Sequence, residues 1–202
     1  MRSKIVTRSL VTPIAVSSFR EADGDGDGLT LVGLAVPFNQ PTRIENAIEG
    51  RFDEQFAPGA FKRTLSHKTP LLQFDHGTHP TVGSIPIGRF ERLVEARDGL
   101  RVRARLYGNW LTEPVRDAIA GGSIPGMSIR FRPIQIDITD PQARAGGADV
   151  ELRTITEAEL IELGPVVFPA YPTTEVDVRH NEREHRARVA RLHRYRAIAR
   201  KI

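Results

Sequence analysis

The chain has 202 residues, 40% of them apolar and 27% charged, and its 29 Lys and Arg against 25 Asp and Glu give a net charge of +4. This composition is ordinary for a globular domain with a substantial core. The chain contains no cysteine and no run of 18 apolar residues, which excludes disulfides, thiolate catalysis and a membrane-spanning helix. We therefore expect a cytoplasmic protein with no membrane partner.

Short runs of alternating apolar and polar residues, separated by turn signals, follow one another along most of the chain. Such alternation is typical of β-strands. The predicted strands cover 4–18, 29–36, 71–76, 85–94, 100–107, 127–138, 150–156 and 158–168. We expect an irregular stretch after Pro37, a polar hairpin loop at 23–28 and a surface loop at 140–149. The runs 85–94 and 100–107 form a predicted hairpin, with Gly99 where a turn favours positive φ.

Two helices are predicted within this series of strands. A short helical segment ends near Leu65, and a second helix covers 112–120. Thr112 is a suitable cap for the second helix, Pro114 is tolerated in its first turn, and two glycines at 121–122 end it.

Basic residues are concentrated at the end of the chain. Residues 180–202 carry eight Lys or Arg against two Glu, a balance of +6, whereas the other 179 residues carry 21 basic and 23 acidic side chains, a balance of −2. We therefore do not expect these 179 residues, the body of the protein, to bind nucleic acid. A helical stripe of apolar residues runs through this basic segment: Val189, Leu192, Tyr195, Ala199 and Ile202.

These elements predict a mainly β domain over 1–178, followed by a basic helical tail over 179–202. The body is expected to be an antiparallel β-barrel or closed sheet with a few helices. The tail is either a solvated helix, a segment that docks on a partner, a removable propeptide-like segment or a contact to nucleic acid.

Two patterns raise the question of a metal ion. The Asp-Gly run at 23–28 begins like a calcium loop, but its twelfth position, where a bidentate acid is needed, is Leu34. His76 and His79 resemble a pair of zinc ligands, but the body has no cysteine and no suitably spaced third histidine. We therefore expect neither a metal nor a cofactor.

His76 is the first candidate for chemistry. It follows the apolar run 71–75 and precedes Gly77, and functional side chains often lie at such strand ends. A structural, hydrogen-bonded histidine is the plain alternative. His79 is the weaker candidate for a base because it lies within the loop.

Ser128 is the second candidate, because it enters a strand directly from a turn, after Gly126 and Met127. A glycine at this point lets backbone and substrate approach closely, and free amides of such a turn can hold an oxyanion. A serine that satisfies a hydrogen bond at the strand start is the alternative, and Ser84 and Ser123 are competing hydroxyls. Because a serine hydroxyl needs a base to become reactive, Ser128 alone does not imply catalysis.

Two acids in the last predicted strand are candidates for a third member. Glu159 and Glu162 are three residues apart, so strict alternation places them on opposite faces of the strand. A carboxylate that accepts a hydrogen bond from the histidine ring would fix its tautomer. A solvated strand acid is the alternative for either residue.

Five segments, taken in order, resemble the prohead serine proteases of tailed bacteriophages. They are GLAVPF at 33–38, FAPGAF at 56–61, LQFDH at 72–76, GGSIPGMSIRF at 121–131 and ELIELGPVVFPA at 159–170. Each piece alone is common, but their order and spacing together carry the resemblance, which covers roughly residues 30 to 178.

The resemblance implies a β-barrel related to the herpesvirus maturation proteases. It also implies Ser128 as nucleophile, His76 as base, and an acid that aligns best with Glu162, with Glu159 as the fallback. The implied activity is that of a serine endopeptidase acting on the scaffolding segment of the major capsid protein, and on itself, inside assembling proheads in the host cytoplasm. A catalytically silent assembly or scaffolding factor with the same fold is the alternative.

Two positions depart from the family pattern. Family members often have Gly where Arg130 stands and Ser where Gly164 stands. Arg130 is expected to alter the oxyanion region or the substrate cleft, and Gly164 removes a hydroxyl near Glu162. Self-association is a further expectation, and the apolar stripe of the tail favours docking on capsid or scaffold proteins.

Overall fold

The computed structural model describes residues 5–10, 29–47, 49–124 and 126–167. Its strands are β1 (Val6–Leu10), β2 (Thr30–Pro37), β3 (Thr42–Asn46), β4 (Gly50–Phe56), β5 (Leu71–Leu72), β6 (Gly88–Glu95), β7 (Gly99–Leu106), β8 (Gly126–Thr139) and β9 (Leu152–Val166). Its helices are α1 (Lys62–His67) and α2 (Glu113–Ala120), with short 3-10 turns at Asp75–Gly77 and Pro141–Ala143. The predicted loop at 23–28 and the basic tail at 179–202 lie outside the described residues.

The larger sheet is organised around its two longest strands, β8 and β9, which pair antiparallel along their whole length. β1 pairs antiparallel with the first half of β8, from Met127 to Phe131. β4 and β5 pair in parallel with β9, β4 near its start and β5 near its end. Because β8 occupies one edge of β9, β4 and β5 share the other edge, and the strand order is β1-β8-β9-β4-β3 with β5 beside β9.

The second sheet has three antiparallel strands in the order β2-β7-β6. One core joins residues of both sheets with α2. It contains, among others, Leu31, Val36, Leu100, Val102, Phe56, Ile129, Phe131, Ile155, Leu163, Val115 and Ile119. Burial of each such large side chain contributes about 1.5–3 kcal/mol. The core fixes the inner face of β8 and β9, so the opposite face is available for a site.

The predicted mainly β class is confirmed, but the described strands do not close into a barrel. Closure needs a continuous ladder of strands around a ring. Among the described residues, the two sheets are joined instead by isolated contacts, such as the bridge between Phe38 and Phe56 and the hydrogen bond from Ile87 N to Leu72 O. β2 ends at Pro37, which has no N–H to extend the ladder.

The predicted hairpin of β6 and β7, strand β8 and helix α2 are present. Gly99 lies at φ 151°, and a Cβ built on it would meet Val36 O at 2.1 Å, so close backbone approach requires glycine there. Thr112 is the N-cap residue of α2 but its side chain makes no capping bond. The oxygen of Asn109 accepts hydrogen bonds from the amides of Leu111 and Thr112 instead.

Three strand predictions need correction. The segment 71–76 is a strand at Leu71–Leu72 alone, because the backbone turns left-handed at Asp75 and His76. The segments 150–156 and 158–168 belong to one strand, β9, and the pairing of β9 with β8 continues across several register shifts. The stretch expected to be irregular holds the β3–β4 hairpin, in which buried Ile44 and Phe52 are surrounded by charged residues that obscure the alternation.

Candidate active site

Ser128 lies near the start of β8, on the face opposite to the core. Its neighbours Met127 and Ile129 are fully buried in the core, so strand alternation turns Ser128 to the other face. Across the ladders it pairs with Gly164 of β9 on one side and with Ser9 of β1 on the other. Ser128 is 0% exposed, so other parts of the chain enclose its hydroxyl.

His76 is carried by three consecutive residues with left-handed backbone. The φ angle is 48° at Asp75, 55° at His76 and 72° at Gly77. A left-handed residue other than glycine costs roughly 1–3 kcal/mol and persists where its surroundings hold it. The amide of Gln73 helps to hold this loop by donating to Ser84 O at 2.6 Å. The ring of His76 is therefore positioned by a constrained turn and not by the end of a strand.

Gly164 allows this loop to reach the sheet. An ideal Cβ at position 164 would lie 1.6 Å from Gln73 O and 2.8 Å from Gln73 C, so a side chain there would collide with the backbone of the loop. Gly164 lies directly across the ladder from Ser128. The missing side chain therefore lets the chain that leads to His76 cross the sheet beside Ser128.

A β-bulge in β9 sets the position of the acid. Arg130 and Phe131, consecutive on β8, pair with Glu162 and Leu160, which leaves Ile161 as an extra residue on β9. A bulge of this kind changes the phase of alternation along its strand. Glu162 thereby shares the face of Arg130, which is also the face of Ser128.

The same bulge overturns the expectation that the two acids face opposite sides of the strand. Glu159 pairs with Arg132, which lies two residues from Arg130 on β8, so both acids are on one face. Glu159 contacts Lys68 at 3.2 Å and also Arg132. Lys68 first, and then the charge of Arg132, hold the pKa of Glu159 below its usual range. Glu159 is thus held in ion pairs with Lys68 and Arg132.

The three candidate side chains form one continuous series of hydrogen bonds. His76 Nε2 lies 2.6 Å from Ser128 Oγ, and His76 Nδ1 lies 2.7 Å from Glu162 Oε2. The side chain of His76 is 16% exposed and that of Glu162 is 2% exposed. In this geometry one ring nitrogen can accept the hydroxyl proton while the other donates to the carboxylate.

Burial raises the pKa of Glu162 above its usual value, against the lowering effects of the His76 hydrogen bond and of the charges of His76 and Arg130. Glu162 Oε1 is buried and has no hydrogen-bond partner among the described residues. An ionised carboxylate is costly in such surroundings. The charge of Glu162 therefore depends on His76 and Arg130.

Arg130, the first departure from the family pattern, lies beside the histidine. Its Nη1 is 3.5 Å from the carbonyl oxygen of His76, and it faces Glu162 across the ladder. The guanidinium is thus a fixed positive charge at the edge of the site.

The competing candidates have other surroundings. His79 Nδ1 accepts hydrogen bonds from the amides of Thr81 and Val82, at 3.3 and 3.2 Å, which is a loop-stabilising role. Ser84 and Ser123 are exposed, and of the three candidate hydroxyls it is that of Ser128 that contacts His76.

One neighbour of Ser128 was not predicted. The Ser128 hydroxyl also lies 3.0 Å from the carbonyl oxygen of Arg8 in β1, and the Arg8 side chain is held by Glu49 and Glu54. Arg8 and Ser128 are 120 residues apart, so no local pattern indicates this contact.

Within the described residues, no cluster of three or more His, Cys, Asp or Glu side chains is arranged to hold a metal ion. In the same part of the chain, no helix has the length and apolar character needed to cross a membrane.

Three comparisons relate this chain to known proteins. The family model described as caudovirus prohead serine protease matches residues 17–188. The chain is 30% identical over 119 residues to the prohead protease of Enterobacteria phage HK97, an alignment that covers 57% of this chain and 48% of that protein. The chain thus spans about half the length of this curated relative.

The fold is similar to that of the capsid assembly protease of bacteriophage T4, with a TM-score of 0.50 and 14% identity over 82% of this chain and 98% of the T4 protein. This similarity concerns the fold alone, whereas the family match extends over most of the sequence and includes His76, Ser128 and Glu162. The chain accordingly belongs to the caudovirus prohead serine proteases.

Proposed function

We propose that this chain is a serine endopeptidase, with Ser128 as nucleophile, His76 as general base and Glu162 as the residue that orients the base. The observation that carries this proposal is the unbroken series of hydrogen bonds from Ser128 Oγ through the His76 ring to Glu162. Membership of a serine protease family supports it.

In the first step Ser128 Oγ attacks the carbonyl carbon of a substrate peptide bond, and His76 Nε2 takes the hydroxyl proton. Glu162 Oε2 accepts the hydrogen bond from Nδ1, so the ring is held with its free electron pair toward Ser128 and its positive charge is stabilised. The C–N bond then breaks as His76 gives the proton to the leaving amine. The product is an acyl-enzyme at Ser128.

In the second step water replaces the amine. His76 takes a proton from water, the resulting hydroxide attacks the acyl carbon, and the bond to Ser128 Oγ breaks. The proton returns from His76 to Ser128. The residues thus end in their starting state.

We propose further that the substrates are capsid assembly proteins, namely the scaffolding segment of the major capsid protein and the chain itself. The site of action is the assembling prohead, within the cytoplasm of the infected cell. The names of the family and of the similar HK97 and T4 proteins support this assignment. Cleavage inside an assembled shell would make maturation irreversible.

Co-expression with the major capsid protein tests the proposal. We expect processing of the capsid protein by the wild-type chain, none by Ser128→Ala, and wild-type processing by Ser123→Ala, since Ser123 is an exposed serine in the preceding turn. Gel electrophoresis and mass spectrometry of the capsid protein are the measurements. Continued processing by Ser128→Ala would contradict the assignment.

The same experiment distinguishes the proposed protease from the alternative, a catalytically silent assembly factor. Such a factor would leave the capsid protein uncleaved in all three cases while shell assembly depends on its presence. Electron microscopy of the shells distinguishes the two functions.

A further inference from the structure

β1 lies beside Ser128 as the edge strand next to β8. It pairs antiparallel with β8 from Leu10 opposite Met127 to Val6 opposite Phe131, and it has no further strand on its outer side in the described part of the chain. Ser128 of the neighbouring strand is 0% exposed. A substrate strand cannot pair with this edge of β8 while β1 holds it.

The backbone of β1 also competes for the hydroxyl proton. Ser128 Oγ is 3.0 Å from Arg8 O and 2.6 Å from His76 Nε2, but a hydroxyl has a single proton to donate. When the proton goes to Arg8 O, it is not available to His76. The hydroxyl approaches the oxygen of this carbonyl, whereas attack requires approach to the carbon. β1 therefore lies at the nucleophile in an unreactive pose.

The positively charged side chain of Arg8 occupies a negatively charged site. Arg8 Nε and Nη2 donate to the two oxygens of Glu54 at 2.6 and 3.1 Å, and Nη1 and Nη2 donate to those of Glu49 at 3.0 and 3.1 Å. The guanidinium also lies 6.0 Å from the centre of the Phe52 ring. Two bidentate carboxylates are a strong and geometrically selective arrangement for a basic side chain.

This charged site is buried. The side chain of Arg8 is 5% exposed and that of Glu54 is 8% exposed. Burial opposes a charge on Arg8, but the hydrogen bonds and charges of Glu54 and Glu49 outweigh it and raise its pKa above the usual value. Removing the basic partner would leave two carboxylates without their compensating charge, one of them buried, which is unfavourable.

Arg8 connects this acidic site with Ser128: its carbonyl oxygen contacts the Ser128 hydroxyl, while its side chain lies with Glu54 on the other face of the sheet, the face of the paired Ile129. β1 and β4 are separated by β8 and β9, three strand spacings or about 14 Å in a flat sheet. Arg8 of β1 nevertheless contacts Glu54 of β4 directly. The long side chains of Arg8 and Glu54 bridge this separation, so the residue that contacts Ser128 through its carbonyl oxygen contacts Glu49 and Glu54 through its side chain.

We propose that β1 occupies the substrate site, and that a substrate pairs as an extended strand with β8 in its place, setting an Arg or Lys between Glu49 and Glu54. The basic residue is the one whose carbonyl faces Ser128, immediately before the bond that is cleaved. This inference rests on the proposed function and adds to it a substrate class and the segment that blocks the site. Strand addition at a sheet edge supplies affinity through the backbone, and a side-chain site supplies selectivity.

The blocking role of β1 is tested with a fluorophosphonate probe on the full chain. Ser128 Oγ displaces fluoride from phosphorus, so an O–P bond forms, the P–F bond breaks and the hydroxyl proton passes to His76. We expect Arg8→Ala to speed labelling at Ser128 about tenfold or more, and Arg8→Lys to give an intermediate rate, because the loss of charged hydrogen bonds weakens the docking of β1. Arg101→Ala, which removes an exposed ion pair with Asp98, is the matched control and should label at the wild-type rate.

The acidic site is tested with hexapeptides that are identical except for Arg, Lys, Met or Glu before the cleaved bond. We expect kcat/KM for the Arg peptide to exceed that for the Glu peptide at least a hundredfold, with wild type and Arg8→Ala alike in preference. Joint substitution of Glu49→Gln and Glu54→Gln should abolish the preference of Arg over Met, while the uncharged probe still labels Ser128.

The outcomes separate the two proposals. Suppose that Ser128 is labelled in all variants and that Arg8→Ala and Arg8→Lys label at the wild-type rate. The inference about β1 and its acidic site is then overturned, and the serine protease stands. The same conclusion follows if the Arg peptide is cleaved no better than the Met peptide. If no variant labels Ser128 and no peptide is cleaved, the proposed function fails and this inference fails with it.

Discussion

Glu162 Oε2 lies 2.7 Å from His76 Nδ1 and is the carboxylate that contacts the ring. Glu159, on the same strand face, is held by Lys68 and Arg132 instead. The difference arises from position along β9, because Glu162 lies two residues from Gly164, the partner of Ser128. The two acids are thus a matched pair for testing what contact with the histidine does.

Glu162→Gln is expected to reduce kcat by roughly 10³–10⁴, because the amide of Gln can donate to Nδ1 and so hold the ring in the tautomer that cannot accept from Ser128. Glu159→Gln should change kcat less than about twofold, since it removes surface ion pairs. Steady-state cleavage of a peptide substrate measures both. Equal losses in the two variants would argue that neither acid acts through His76.

Arg130 is expected to influence how kcat/KM falls on the acidic side of its pH profile. Its positive charge lowers the pKa of Glu162 against the effect of burial, and the ionised carboxylate is the form that supports His76. Removing that charge raises the pKa of Glu162 further, so the carboxylate is lost at a higher pH. In Arg130→Met the acidic limb of kcat/KM should therefore move to higher pH, whereas Arg101→Met should leave it in place. A limb that moves to lower pH, or does not move, would contradict this electrostatic role.

Asp53 is expected to link folding stability to pH. It is nearly buried on β4, with Arg43 on the paired strand β3 and Arg144 Nη1 at 2.7 Å. Burial raises the pKa of Asp53, but the hydrogen bonds of Arg43 and Arg144 outweigh it and lower the pKa below the usual 3.8. A carboxyl with a lowered folded pKa stabilises the fold above its unfolded pKa, and this contribution is lost as pH falls through the folded value.

Asp53→Asn should accordingly lower the free energy of unfolding at pH 7 by about 1–3 kcal/mol, since it leaves charged donors with a weaker acceptor. The difference from wild type should shrink as pH falls below 3.8. Urea unfolding at several pH values measures it. Asp149→Asn is the control, because Asp149 is exposed and also pairs with Arg43. This substitution should lower the free energy of unfolding at pH 7 by less than Asp53→Asn does. If the stability difference between wild type and Asp53→Asn grows toward acid pH, the pKa of Asp53 is not lowered by folding.

Apolar alternation indicated β8 and most of β9 but left His76, Ser128 and Glu162 each with a structural alternative, and only the five segments in family order made them the preferred candidates. The sequence did not indicate how these residues meet. The bulge at Ile161, the left-handed turn at Asp75 and His76, and the contact of Arg8 with Glu54 depend on packing between distant segments. No composition or period encodes such contacts, and for this reason the barrel closure and the opposite faces of the two acids were predicted wrongly.

Gly164 shows how such a long-range constraint can be tested. The sequence marked it as a lost hydroxyl, but the structure has the backbone of Gln73 where its side chain would stand, 1.6 Å from an ideal Cβ. Gly164→Ala should therefore displace the loop that carries His76 and lower the free energy of unfolding by about 1–3 kcal/mol. Labelling of Ser128 by a fluorophosphonate should also slow, because the ring moves away from the hydroxyl.

Gly108→Ala is the matched control for that substitution. A Cβ at Gly108 would meet the flexible side chain of Leu29 at 3.4 Å, without a backbone collision. Its free energy of unfolding should stay within about 0.5 kcal/mol of wild type, and its labelling rate should be unchanged. Chemical denaturation and mass spectrometry of labelled protein measure the two quantities. If Gly164→Ala and Gly108→Ala behave alike, close approach at Gly164 is not what positions His76, since the same added methyl group is then tolerated at both places.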